Sequence, residues 1–276
     1  MRWLHFILSH SIFISFCALA LCYQTFALLH IPVNYFIYGL VFFATTSSYN
    51  FYWLISKYSL GSHKGHREFL KRSLSNLIVF MAATIGMICC LYFIPTIFSP
   101  VTGAILLTLL YSIPLWPVKQ LAFTRKAGFL KTVLLAFTWT FVTVMIPAWQ
   151  IVAVDGLSIA LLFTARFLFM LMLCIIFDSR DINVDKIRSL RSLATDVQPK
   201  TLRLIMAIVF ILYLATGFIL RYYYDDNAQQ VAFFIIGLLT LYVYWLSLKK
   251  QGYFFYYFLV DGLMLFSAAA TYVASI

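Results

Sequence analysis

The chain has 276 residues, of which 63% are hydrophobic and 11% charged, with a mean hydropathy of +0.94 and a net charge of +11. A soluble domain carries about a quarter charged residues, and a single core of this length cannot bury so much apolar sequence. The composition therefore excludes a soluble enzyme and identifies an all-α, polytopic membrane protein.

Apolar windows long enough to cross about 30 Å of hydrocarbon succeed one another along the chain. They cover residues 4–29, 33–55, 74–94, 101–116, 132–152, 157–177, 202–220, 231–248 and 253–276. Nine spans are expected. The first also resembles a secretory signal, with Arg2 before an apolar run and Ala18-Leu19-Ala20 as a cleavage site, but its run is too long and it is taken as a span. The fourth is short and crowded by Pro100, Pro114 and Pro117, which mark ends or kinks. All five cysteines lie in apolar stretches with no C-x-x-C pair, so neither a disulfide frame nor a zinc site is expected.

Lysine and arginine fall almost entirely on one side of these spans. Arg2, the basic residues of 57–72, 119–131 and 180–203, and Lys249 with Lys250 make up 18 of the 20. Positive residues are retained on the cytoplasmic side, so the N-terminus is expected there and the C-terminus outside. The basic balance then reflects membrane topology, and no nucleic-acid partner is implied.

Against that background "FDSRDINVD" stands out at the cytoplasmic end of the sixth span. It concentrates Asp178, Asp181 and Asp185 in a chain with nine acidic residues. If the helix runs on, the three fall at about 0, −60 and −20 degrees around its axis. Like charges on one face repel unless a cation neutralises them, and Mg²⁺ typically combines one or two carboxylates with substrate phosphates. The alternative is a solvated loop of mixed charge, balanced by Arg180, Lys186, Arg188 and Arg191.

"FDSRDINVD" resembles the second aspartate-rich motif, D-x-x-D-x-x-x-D, of the UbiA-type intramembrane prenyltransferases. "LYSIPLWPVKQL" is similar to that family's Tyr and Lys region after the fourth span, and "KTVLLAFTWTFVTVMIP" to its fifth. The resemblance spans the whole chain, read as one domain over residues 1–276. It implies a bundle of about nine helices around a central cavity opening on the cytoplasmic face, in a bacterial inner membrane. It implies Mg²⁺ as cofactor, an isoprenyl diphosphate donor and a small lipophilic acceptor, with quinone biosynthesis as the setting. By motif position Asp181 and Asp185 would hold the metal with Asp178 beside them, and Lys119 would pair the diphosphate.

The family's first motif, N-x-x-x-D-x-x-x-D, is only partly present. In "YNFYWLISKY" Asn50 occupies the asparagine position, while Leu54 and Tyr58 stand where aspartates belong. A site so built either uses fewer metals or substitutes protein cations. Thr46, Asn50, Trp53 and Lys57 share one helix face, so Asn50 and Lys57 are expected at the diphosphate, or else Thr46 and Asn50 pack helices together. Arg166 lies inside the sixth span, where an ionisable group is by default functional. It would bind an acceptor carboxylate or line the cavity, or pair with a buried carbonyl or with Asp261.

His63 and His66 lack a third ligand and make a poor metal site. The 28 Phe, 18 Tyr and 6 Trp could shield a carbocation, although membrane belts account for most of them. Three functions are compatible with these residues: a prenyltransferase, a degenerate relative that binds a prenyl lipid or quinone without turnover, and a transporter with proline-interrupted spans.

Overall fold

The computed structural model describes residues 2–60, 66–112, 128–150, 155–187, 191–224 and 227–276; the side chains of 2–5, 57–60, 66–72, 183–187 and 221–224 lie outside that description. The described chain is all-helical. In order come α1 (Arg2–Ser9), α2 (Ile12–Leu28), α3 (Tyr35–Leu60), α4 (His66–Phe93), α5 (Phe98–Ser112), α6 (Gly128–Ala148) and α7 (Gly156–Ile187). They are followed by the short α8 (Leu193–Asp196), then α9 (Pro199–Tyr224), α10 (Asn227–Ser247) and α11 (Phe255–Ala274).

Seven of these helices are long and apolar enough to cross a membrane, which makes this an integral membrane protein. Outside the seven are α2, with 17 residues, and α3, whose middle carries Thr45, Thr46, Ser47 and Asn50. Those four polar residues are all buried, so neighbouring helices rather than lipid surround them.

Each expected window coincides with a helix, but the first is not continuous. Ser11 takes a left-handed conformation with φ 62°, uncommon for a residue other than glycine, and separates α1 from α2. The break releases the His10 carbonyl from the helical ladder, and Asn50 Nδ2 donates to it at 3.0 Å. The fourth helix begins before its expected window, with a 3₁₀ turn at Pro95–Ile97 leading into α5. Pro95 and Pro100 fit there because the first turn of a helix needs no intrahelical N–H donor.

Around the bundle the neighbours run α4, α3, α2, α11, α10, α9, α7, α6 and α5. The central helix is α7, with 67% of its most apolar stretch buried, whereas the corresponding share for α4 is 11%, which makes α4 a lipid-facing edge. Lipid is as apolar as leucine, so close packing and polar contacts must hold the helices together. Gly39 and Gly86 supply the first on the α3–α4 seam, where an added Cβ would meet Cys90 Sγ at 2.7 Å and the Phe43 ring at 2.8 Å. Hydroxyl pairs supply the second: Ser15 with Thr46 at 2.8 Å and Ser47 with Thr84 at 2.9 Å.

Two helices contain a π turn, Phe141–Met145 in α6 and Phe255–Val260 in α11. The first has a chemical cause. In an α-helix the Thr143 carbonyl would accept from the amide of residue 147, but Pro147 has none. Thr25 Oγ1, from α2, donates to that carbonyl at 2.7 Å instead.

Candidate active site

A cavity of about 290 Å³ lies inside the bundle. Its walls come from α1, α2, α3, α4, α5, α6, α7 and α11, and most of the lining is apolar or aromatic, including Leu40, Val41, Tyr52 and Trp139. Charged groups enter it from α6 (Lys131), α7 (Asp178, Arg180, Asp181) and α11 (Asp261).

The sixth-span helix does run through "FDSRDINVD", since α7 is continuous to Ile187. Asp178 and Asp181 both line the cavity, as the expected face requires. Asp185 is on the same helix, but its side chain lies outside the described residues, as do those of Lys57 and Tyr58; Lys119 lies outside them altogether. Among the described residues no group of three or more His, Cys, Asp or Glu could hold a metal ion.

Asp178 is anchored from α6: Thr132 Oγ1 donates to its Oδ2 at 2.5 Å. The same hydroxyl oxygen accepts from Leu193 N at 3.3 Å, so the start of α8 is fastened behind the carboxylate. Gly128 permits this docking, because a Cβ there would come within 2.6 Å of both Ser192 N and Asp196 Oδ2.

Asp181 is held by its sequence neighbour. Arg180 Nε donates to Oδ1 and Nη2 to Oδ2, both at 2.7 Å, which is the two-pronged geometry that suits a planar guanidinium. Arg180 in turn lies against three aromatic rings, with Cζ 5.0 Å from the centroid of Phe177, 5.1 Å from Tyr256 and 4.9 Å from Tyr257. Both tyrosines belong to the π turn of α11. The remaining nitrogen, Nη1, is buried with no hydrogen-bond partner.

Across the cavity α3 contributes Thr45, Ser48, Tyr49, Tyr52 and Trp53, and no carboxylate among the described residues. Tyr52 stacks on Tyr111 at 5.4 Å, and Trp139 Nε1 donates to the Tyr49 hydroxyl at 3.3 Å. Asn50 is fully buried between helices. Its Nδ2 donates to His10 O and to Thr46 O, and its Oδ1 accepts from Asn76 Nδ2 at 3.2 Å. Of the expected polar stripe, Trp53 faces the cavity while Thr46 and Asn50 join helices.

Arg166 takes the carbonyl alternative. Buried at 4% exposure, it donates through Nη1 to Leu21 O at 3.1 Å and to Thr143 Oγ1 at 3.4 Å, and through Nη2 to Gln24 Oε1 at 2.7 Å. Gln24 continues the network into α11 by donating to Ser267 Oγ at 3.0 Å and Thr271 Oγ1 at 2.7 Å. Arg166 thus ties α2, α6 and α7, and through Gln24 also α11.

Thr132 and Lys131 were not singled out from sequence, and Arg180 and Asp261 were weighed only as counter-charges. Arg180 reads there as loop charge and Asp261 as a partner for Arg166. The one available signal was the rarity of acids within apolar windows, which marks Asp261.

Taken together, these features define an integral membrane helix bundle whose internal cavity has a charged region and an extended apolar and aromatic wall. The bundle is similar in fold to two solved helical structures, one of them a UbiA homologue. An apo UbiA homologue from Aeropyrum pernix K1 is similar at a TM-score of 0.62 and 14% identity, over 95% of this chain and 98% of that one. A digeranylgeranylglyceryl phosphate synthase described in membranes is similar at 0.55 and 13%, over 100% of this chain and 99% of that one. No family model and no curated protein matches the sequence. At such identity the likeness is one of fold.

Proposed function

We propose that this protein is a membrane prenyltransferase that moves an isoprenyl group from its diphosphate to a small lipophilic acceptor. One observation carries the reading: Asp178, Asp181, Arg180 and Lys131 line the same cavity as a long apolar and aromatic wall. An amphiphile with a diphosphate head and a hydrocarbon tail matches that division. The fold shared with prenyltransferases supports it.

Asp178 and Asp181 fit one Mg²⁺ ion, because both carboxylates line the cavity from one helix and Mg²⁺ needs only one or two carboxylates besides phosphate and water. Asp178 and Asp181, with Asp185, would hold the ion, which when bound supplies positive charge to the leaving phosphate oxygens. The protein's own contribution is separate. Arg180 Nη1 offers an unspent donor to a phosphate oxygen, and Lys131 adds a second cation. The aromatic wall excludes water while the allylic C–O bond breaks, its electron pair leaving on the diphosphate, and an acceptor electron pair forms the new bond as the acceptor's proton passes to the released diphosphate. The site faces the cytoplasm of a bacterial cell in this reading, since the Asp178 end of α7 adjoins the lysine- and arginine-rich segments.

A second reading is a binding protein without turnover. Both oxygens of Asp181 are taken by Arg180, and α3 lacks the carboxylates of a complete first motif. The purified protein, incubated with Mg²⁺ and isoprenyl diphosphates of several lengths, separates the two. Diphosphate release lost in Asp181→Ala and Asp185→Ala supports transfer, and release that survives in both overturns it. Binding without release supports the second reading, and no binding at all returns the question to transport.

A further inference from the structure

Asp261 is 5% exposed, and what exposure it has is toward the cavity. It follows the π turn of α11, opens the regular part of that helix, and makes no hydrogen bond or ion pair among the described residues. A buried carboxyl group without a partner is costly, and such groups in a cavity wall are left for a ligand to satisfy. Nothing in the donor site uses it: Asp178 is fixed by Thr132, and Asp181 by Arg180. The basic group expected to receive an acceptor carboxylate is also absent from the cavity, because Arg166 is spent on Leu21 O, Thr143 and Gln24.

The geometry points to Asp261 as the acceptor-binding residue, selecting an uncharged lipophile that presents a hydroxyl or similar hydrogen-bond donor and rejecting one that presents a carboxylate. This rests on the prenyltransferase reading for the word acceptor, but the binding it describes is independent of catalysis. The chemistry is one of sign. A phenolic or alcoholic hydroxyl donates to the buried carboxyl group and supplies its missing partner. A benzoate-type head would bring an anion and no donor to that group, in a cavity that already holds Asp178 and Asp181. The two cations lining it among the described residues, Lys131 and Arg180, are the groups assigned to the diphosphate in the reading above, and Arg180 already grips Asp181.

Two probes of matched shape test this: 4-bromophenol, neutral at neutral pH, and 4-bromobenzoate, anionic. Bromine quenches tryptophan fluorescence, and Trp53 and Trp139 both line the cavity. In detergent-solubilised protein, saturable quenching by the phenol is expected at a Kd about tenfold or more below that for the benzoate, the scale of one hydrogen bond to a charged group. In the isosteric Asp261→Asn the gap is expected to close through tighter benzoate binding, and in Asp261→Leu through weaker phenol binding. Equal or tighter benzoate binding by the unsubstituted protein overturns the inference, with no dependence on any variant folding. An unchanged preference in both variants, each melting as a folded protein, also overturns it. Isoprenyl diphosphate binding is measured in the same samples. If the phenol preference holds and the donor does not bind, the prenyltransferase reading fails alone; if the donor binds and the preference is absent, the acceptor assignment fails alone.

Discussion

Arg180 grips Asp181, the next residue in the chain, through two parallel hydrogen bonds of 2.7 Å, and three aromatic rings lie close around the guanidinium. Adjacent residues on a helix normally diverge by about 100 degrees, so such a grip requires the arginine to fold back along the helix surface. The rings from the α11 π turn hold it there. The result is an acid that faces the cavity already paired, with one guanidinium nitrogen left over for a ligand.

Arg180→Lys keeps the charge but loses the fork and most of the ring contact. Donor affinity is expected to fall about tenfold, equivalent to one charge-assisted hydrogen bond, with little change in melting temperature. Titration with an isoprenyl diphosphate beside a thermal melt checks both. Unchanged affinity would show that Nη1 does not reach the donor.

Thr132→Val removes the hydroxyl shared between Asp178 and Leu193 N. Asp178 and Leu193 N then each lose a hydrogen bond, and stability is expected to drop by about 2 kcal/mol. The Mg²⁺ concentration needed for half-maximal donor binding should rise as well, because Asp178 loses its orientation. A variant that melts lower but keeps its Mg²⁺ requirement would make Thr132 a packing residue only.

Arg166→Gln should behave in the opposite way. Its contacts are Leu21 O, Thr143 Oγ1 and Gln24 Oε1, not the cavity. Unfolding in mixed micelles is expected at about 2 kcal/mol less cost, the penalty of a buried acceptor left open, with donor and acceptor affinities unchanged. A selective loss of acceptor binding would return Arg166 to the site.

Thr25 and Pro147 are coupled through a single carbonyl. Thr25→Val leaves Thr143 O unsatisfied, whereas in Pro147→Ala an amide becomes available for it. Thr25→Val is therefore expected to destabilise the parent protein by about 1 kcal/mol and the Pro147→Ala background by much less. The double-mutant cycle measures that difference, and strict additivity would dissociate the π turn from the proline.

Apolar runs located the long helices among the described residues, though not the break at Ser11 or the short α8, because a bilayer permits little other backbone structure and spans are bounded by charge. The continuity of α7 through Asp178 and Asp181 was legible for the same reason: no proline or glycine interrupts 157–187. What was hidden depended on side-chain direction. Asn50 and Trp53 share a helix face in projection, yet Asn50 reaches the carbonyl freed at the Ser11 break while Trp53 faces the cavity. Arg166 could have faced either way from its position alone, and only the placement of Leu21, Gln24 and Thr143 decides. Arg180 was obscured by proximity, since neighbouring charges in a loop-like string give no sign that they will pair.

The π turn at Phe255–Val260 carries one further consequence, for lineage. A π turn is what a helix forms when one residue more than its ladder accommodates has been inserted. Removing a single residue between 255 and 260 would restore the regular helix and rotate its N-terminal portion by about 100 degrees relative to its C-terminal portion. The tyrosines that cradle Arg180 and the carboxyl group of Asp261 would then no longer address the same cavity. A homologue one residue shorter here has exchanged one of those two features for the other, so the length of this turn, more than the identity of any residue in it, separates chains that can combine them from chains that cannot.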